Sequence, residues 1–125
     1  MMAYGPIVPI LRMFDIGRTI AFYTDYLGGT IDWEHRFEPD LPLYMQVSLG
    51  ACRIHLSEHY GDCSPGAAIR IEVADIAALH AGLTAKAAAF SRPGLARMPW
   101  GDDEVTVLDP AGNRLVFYEV RPADA

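Results

Sequence analysis

The chain has 125 residues, 51% of them hydrophobic, with a formal charge of −6 and a pI near 5.0. That length suits one domain whose core needs no disulfide or structural metal, and an acidic chain without a basic stripe argues against nucleic acid as a partner. No apolar run is long enough to cross a bilayer, and Met1 to Pro9 lacks the basic start and cleavage pattern of a secretory signal, so a soluble cytoplasmic protein is expected.

In chain order, Pro6 to Met13 is apolar and β-branched. Pro6 and Pro9 each remove a ladder donor, which suits an edge or end strand. Asp15 is placed to cap a helix in which Ile16, Ile20, Tyr23 and Leu27 recur at helical spacing, and Gly28-Gly29 supplies a left-handed stop. Three strands follow, Thr30 to Phe37, Leu43 to Ser48 and Cys52 to Ser57, punctuated by Glu38-Pro39-Asp40 and Leu49-Gly50-Ala51.

After a loop of small and polar residues, Glu58 to Gly66, the stretch Ala68 to Val73 alternates as a half-buried strand does. Asp75 then caps a second helix with the stripe Ile76, Leu79 and Leu83, which the Ala-rich stretch Ala85 to Ala89 can extend. The last strands are predicted over Phe90 to Met98, interrupted at Pro93-Gly94, over Glu104 to Leu108 and over Arg114 to Val120, with a turn at Asp109-Pro110-Ala111-Gly112.

The order β-α-β-β-β thus occurs twice, as modules over about 6–58 and 67–120 of one α+β domain. Each half is too small to bury both faces of its sheet, so two halves must pair, within a chain or between chains. Cys52 and Cys63 lack the CxxC spacing of zinc or redox sites and are expected to be reduced thiols.

Three stretches carry a resemblance: Arg12-Met13-Phe14-Asp15 leading into Ile20-Ala21-Phe22-Tyr23 and Tyr26-Leu27-Gly28-Gly29, the midpoint strand Ile69 to Val73, and Leu108-Asp109-Pro110-Ala111-Gly112-Asn113. Each motif alone is generic, but their order and spacing over nearly the whole chain resemble the vicinal oxygen chelate superfamily of glyoxalases, bleomycin-resistance proteins and dioxygenases. The resemblance implies two βαβββ modules whose curved four-stranded sheets form a cleft, often completed across a dimer, and hence a homodimer. It also leaves two kinds of protein open, metal-dependent enzymes and metal-free antibiotic-binding proteins.

Metal-dependent members place one ligand on each of four strands, and the corresponding positions here are Val8, His55, Ala68 and Val116. Only the imidazole can bind a metal, whereas a catalytic divalent site needs about three protein ligands. Strand parity puts Glu119 on the helix side, while Glu72 shares a face with Ala68 and Arg70, so a His55/Glu72 pair is the remaining alternative. There is no GxSxG elbow or glycine-rich phosphate loop, and Asp102-Asp103-Glu104 reads as a solvated turn. No catalytic residue, metal or cofactor is therefore expected.

The same parity turns Ile54, Leu56, Ile69, Ile71, Val73, Leu115 and Phe117 toward the helices. The opposite faces carry Tyr44, Gln46, His55, Ser57, Arg70 and Tyr118, which with Trp33, His35, Phe37 and Trp100 form a candidate polar-aromatic pocket for a planar ligand. Metal-free members resembling this chain bind bleomycin-type glycopeptides with a cationic tail, which suits an acidic groove. Arg53, Arg70 and Arg114 argue for an anionic ligand instead. The expected function is sequestration of a bleomycin-type antibiotic or similar small ligand without chemistry. The alternative is a lyase, isomerase or dioxygenase dependent on a metal or on His55 as general base.

Overall fold

Two four-stranded sheets make up the computed structural model, which describes residues 2–86, 90 and 92–122. In chain order the elements are β1 (Ile10–Arg12), α1 (Ile16–Ala21) continued by a π-helical stretch (Phe22–Tyr26), β2 (Thr30–His35), β3 (Tyr44–Leu49), β4 (Cys52–Ser57), β5 (Ala68–Glu72), α2 (Ile76–Ala85), β6 (Leu95–Arg97), β7 (Asp102–Leu108) and β8 (Arg114–Val120). One sheet runs β1-β4-β3-β2 and the other β5-β8-β7-β6. In each, the opening strand lies parallel to the closing strand of its module and the other pairs are antiparallel. The βαβββ order therefore recurs in topology as well as in sequence.

Local chemistry sets the helix ends. Asp15 accepts a hydrogen bond from the Arg18 amide at 3.0 Å and Asp75 accepts one from the Ala78 amide at 3.0 Å, each satisfying an orphan donor of a first turn. Gly28 takes φ 77°, the left-handed stop. At Gly29 a Cβ would sit 2.7 Å from the Tyr23 carbonyl and 2.9 Å from the Ser48 carbonyl, so no other residue fits between helix and sheet.

The two modules share one core. Leu11, Met45, Val47, Ile54 and Leu56 from the first sheet and Val105, Val107, Leu115 and Phe117 from the second meet around Phe22, Tyr23, Tyr26, Ile76 and Leu83. Each large apolar side chain buried this way contributes about 1.5–3 kcal/mol. Asp109 adds a polar tie between modules. Its Oδ2 accepts from the Tyr23 hydroxyl at 2.7 Å and from Asn113 Nδ2 at 2.8 Å, while Oδ1 accepts from the Ala111 and Asn113 amides. Asn113 Nδ2 also donates to the Arg12 carbonyl.

Pairing through the helix sides leaves the opposite face of each sheet partly open to solvent. Several boundaries differ from the sequence expectation. The first strand is confined to Ile10–Arg12, since the prolines at 6 and 9 withhold ladder donors, although the Pro9 carbonyl still accepts from the His55 amide at 2.9 Å. The second strand ends at His35 rather than Phe37, and the one expected over Phe90 to Met98 is limited to Leu95–Arg97. The helix α2 ends at Ala85, and Ala87 to Ala89 lie outside the described residues. Among the described residues no helix is long and apolar enough to cross a membrane.

Candidate ligand-binding face

The open face of the first sheet is organised by a bulge in β2. Ile31 pairs with Val47 but Trp33 pairs with Gln46, so Asp32 is the extra residue and shares its face with Trp33. A hydrogen-bonded chain then crosses the sheet. Tyr44 donates its hydroxyl to His55 Nδ1 at 2.6 Å, His55 Nε2 donates to Gln46 Oε1 at 3.0 Å, and Gln46 Nε2 donates to Asp32 Oδ2 at 2.9 Å. Ser48 donates to the same carboxylate oxygen. The amide of Gln46 faces an obligate acceptor in Asp32, so its Oε1 takes a proton from His55 Nε2, and with the Tyr44 hydroxyl donating to Nδ1 the imidazole is the neutral Nε2–H tautomer.

These contacts set the titration of the groups. The Ser48 and Gln46 hydrogen bonds, helped by Arg53, hold Asp32 below the usual carboxylate range. Partial burial lowers His55, and burial followed by the charges of Asp62 and Cys63 raises Tyr44. Both nitrogens of the imidazole are engaged, so neither is free to ligate a metal or accept a substrate proton in this state.

Aromatic rings cover this chain. Trp33, 42% exposed, is stacked on Tyr44 with centroids 5.9 Å apart and planes 13° from parallel, and meets His55 edge-on at 5.3 Å. His35 and Phe37 contact edge-to-face at 4.8 Å, and Phe37 reaches His59 at 6.1 Å. Together Trp33, His35, Phe37, Tyr44, His59 and Asp62 line a hollow of about 420 Å³. Ser57 does not reach it. Its side chain is fully buried, donating to Asp62 at 2.6 Å and accepting from the His59 amide, so it shapes the loop rather than facing a ligand.

The remaining expected site residues lie on the second sheet. Arg70 donates from Nη2 to Asp102 at 2.7 Å and from Nη1 to Glu104 at 2.9 Å, with its guanidinium carbon 4.3 Å from the centre of the Tyr118 ring. Trp100, 64% exposed, donates its indole N–H to Glu104 at 3.3 Å. The hydrogen bonds to Glu104 and Asp102 hold the guanidinium charged. The acidic run is thus not a solvated turn. It is the start of β7, where Asp102 and Glu104 are 6% and 8% exposed on one face and Asp103 pairs with Arg121 on the other. Within one chain, then, the site residues form two groups on separate sheets.

Of the four metal-ligand positions, Val8 lies before β1 in an exposed segment, Ala68 opens β5, and Val116 is buried in β8. Glu119 points to the helix side, where its carboxylate accepts from the Ile76 amide at 2.9 Å. Among the described residues no three His, Cys, Asp or Glu side chains come together as a metal-binding group. Sequence reasoning missed Asp32, because strict alternation assigns it to the helix side, and missed the Asp102–Arg70–Glu104 clamp. The only warning of the bulge is the polar Asp32 in a position where an apolar residue would pack.

Comparison with known proteins adds to this geometry. The family described as "Glyoxalase superfamily protein" matches residues 1–124. No curated protein matches the chain. Among solved structures it is similar to the bleomycin-binding protein of bleomycin-producing Streptomyces verticillus, complexed with copper(II)-bleomycin, at 29% identity over 98% of this chain and 100% of that one, with a TM-score of 0.70. It is also similar to a bleomycin resistance determinant encoded on the transposon Tn5, at 19% identity over 95% of this chain and 100% of that one, TM-score 0.73. A third likeness is to an antibiotic-binding protein from Streptomyces sp. CB03234, at 17% identity over 96% of this chain and 99% of that one, TM-score 0.72.

Proposed function

From the premise that the chain belongs to the glyoxalase superfamily, we propose that it is a binding protein that sequesters a bleomycin-type antibiotic, or a ligand of similar shape and charge, without altering it. The observation that carries this reading is the Trp33–Tyr44 stack beside Phe37 and His35, a half-exposed flat platform onto which a planar heterocycle can lie. The 29% identity to a protein crystallised with copper(II)-bleomycin supports the same ligand class.

Charge supports a cationic ligand. Arg70 is already held by two carboxylates and is not free to draw an anion, and that clamp keeps one negative charge in excess. Asp62 borders the aromatic hollow, and the exposed Asp32 accepts from Gln46 on the same sheet face. Arg53 and Arg114 remain exposed on the same faces, where water screens them. A catalytic role for His55 would require breaking the bonds to Tyr44 and Gln46, which favours binding over chemistry. The reading assigns no catalytic residue, metal or cofactor.

A homodimer completes the cleft. A second copy that lays its Arg70, Trp100 and Tyr118 face opposite the Trp33 face would enclose a ligand that one sheet leaves open to solvent. The reading assigns the protein to the cytoplasm, where Cys52 and Cys63 stay reduced. Calorimetry with copper-free and copper-loaded bleomycin tests the ligand: saturable heat with unchanged ligand recovered is expected, and no heat at high concentration overturns it. Metal analysis of protein purified without chelator tests the enzymatic alternative, which stoichiometric metal at His55 would favour. Sedimentation showing only monomer would remove the shared cleft.

A further inference from the structure

Trp100 belongs to the open face of the second sheet, yet burial does little to hold it there. Its ring is 64% exposed, and its indole N–H donates to Glu104 at 3.3 Å. The segment that carries it, Met98 to Gly101, joins β6 to β7. The strand β6 has three residues and lies at the edge of its sheet, beyond β7, and Gly101 takes φ 109°, where a side chain would be strained. A turn on so short an edge strand frays unless something else fastens it.

Arg121 supplies the fastening. It follows β8, the other neighbour of β7, and reaches across the start of β7 to the turn. Its Nη2 donates to the Met98 carbonyl at 2.8 Å, its Nη1 donates to the Asp102 carbonyl at 2.7 Å and to Asp103 Oδ1 at 2.8 Å, and its amide donates to the Gly101 carbonyl at 2.9 Å. Within the turn, the Met98 amide donates to the Asp102 carbonyl at 2.8 Å. Both ends of the turn are thus tied to one guanidinium, whose planar fork meets two carbonyls at once. The Arg121 side chain, 20% exposed, takes the Asp103 side of β7, whereas the indole donates to Glu104 on the opposite side. Arg121 therefore grips the turn from behind the ligand-facing surface.

We infer that Arg121 is a positioning residue, fixing the turn so that Trp100 presents its ring to the ligand as a wall already in place, with Glu104 holding the edge of the indole. This rests on the reading of the open faces as an antibiotic-binding cleft. A ring ordered before the ligand arrives loses less freedom on binding, so an arginine that never touches the ligand contributes to affinity through Trp100.

The test couples calorimetry with copper-free bleomycin to the fluorescence of Trp100. Arg121→Met should weaken binding about tenfold, Trp100→Ala by a similar factor, and the double variant no more than Trp100→Ala by itself. Arg121→Lys, which keeps the charge but reaches one carbonyl at a time, should recover part of the affinity. In Trp33→Phe protein Trp100 is the sole tryptophan, and there Arg121→Met should lower its fluorescence anisotropy, a change that reduced fold stability alone does not produce. Unchanged affinity in Arg121→Met, a loss of equal size with Trp100 present or absent, or unchanged anisotropy would overturn the inference while leaving the binding reading in place. No uptake of bleomycin by the wild type would overturn that reading, and the ligand role of Arg121 with it. Should Arg121→Met fail to fold, nitrogen relaxation in the wild type decides: a Trp100 indole N–H as ordered as the β7 amides supports the inference, and a freely moving ring overturns it.

Discussion

Trp33 lies nearly parallel on Tyr44, 13° from coplanar, while the hydroxyl of that same tyrosine is bound to His55 Nδ1 at 2.6 Å. The exposed indole is thus seated on a ring whose orientation is fixed by hydrogen bonding. A platform of this kind loses little rotamer freedom when a flat ligand arrives. Trp33→Ala should weaken bleomycin binding roughly 10- to 100-fold, about 1.4–2.7 kcal/mol, as anchor aromatics do. Because the indole is half-exposed, the melting temperature should barely move. Calorimetry and a thermal melt on the same sample separate the two effects.

The imidazole supplies a pH dependence. Burial lowers the folded-state pKa of His55 below its ordinary value near 6.5. Between the folded and unfolded values the unfolded chain binds more protons, so the stability this group contributes is full above about 6.5 and is lost as pH falls through the folded value. His55→Asn should flatten that part of the stability profile. Urea midpoints measured from pH 7.5 down to 5, beside an NMR titration of the His55 ring, check the sign; a His55 resonance titrating above 6.5 would reverse it.

On the second sheet, Arg70→Met removes the cation that pairs Asp102 and Glu104, both nearly buried. Two carboxylates then face each other without compensation. Stability should fall, and the affinity for a cationic ligand relative to a neutral one should increase. Denaturation gives the first and paired titrations with charged and uncharged ligands give the last.

Asp109 offers a stability test remote from both faces. Asp109→Ala deletes four hydrogen bonds in a buried turn and should cost about 3 kcal/mol or more, whereas Tyr23→Phe removes one and should cost about 1–2 kcal/mol. The double variant should cost less than the two together, because both changes remove the same bond. Burial, with Asp109 adjacent, also pushes the Tyr23 hydroxyl far above its usual range, so it remains a donor at any pH the fold tolerates.

Much of this was legible in the alternation of side chains. Ile54 and Leu56, Leu115 and Phe117 fall two apart and all turn to the core, which by parity delivers Tyr44, Gln46 and His55 to the other face. Alternation fails where the backbone breaks it. The extra residue in β2 brings Asp32 round to the Trp33 side, and no propensity rule marks a bulge at that position. Asp102 and Glu104 were misread for a different reason: consecutive acids resemble a solvated turn until a distant arginine, 32 and 34 positions earlier, is seen to neutralise them. Ser57 obeyed parity but was claimed by its own loop.

The shared core and the Asp109 tie also govern how the molecule comes apart. The first module holds Trp33 and the second Trp100, yet neither module owns a private core: the apolar side of each sheet is completed by residues of the other. Unfolding should therefore be cooperative across the repeat, with both indoles reporting one coincident transition. Cutting the chain at its pseudo-symmetric midpoint would not release two smaller domains. It would release two sheets, each with a wet hydrophobic flank.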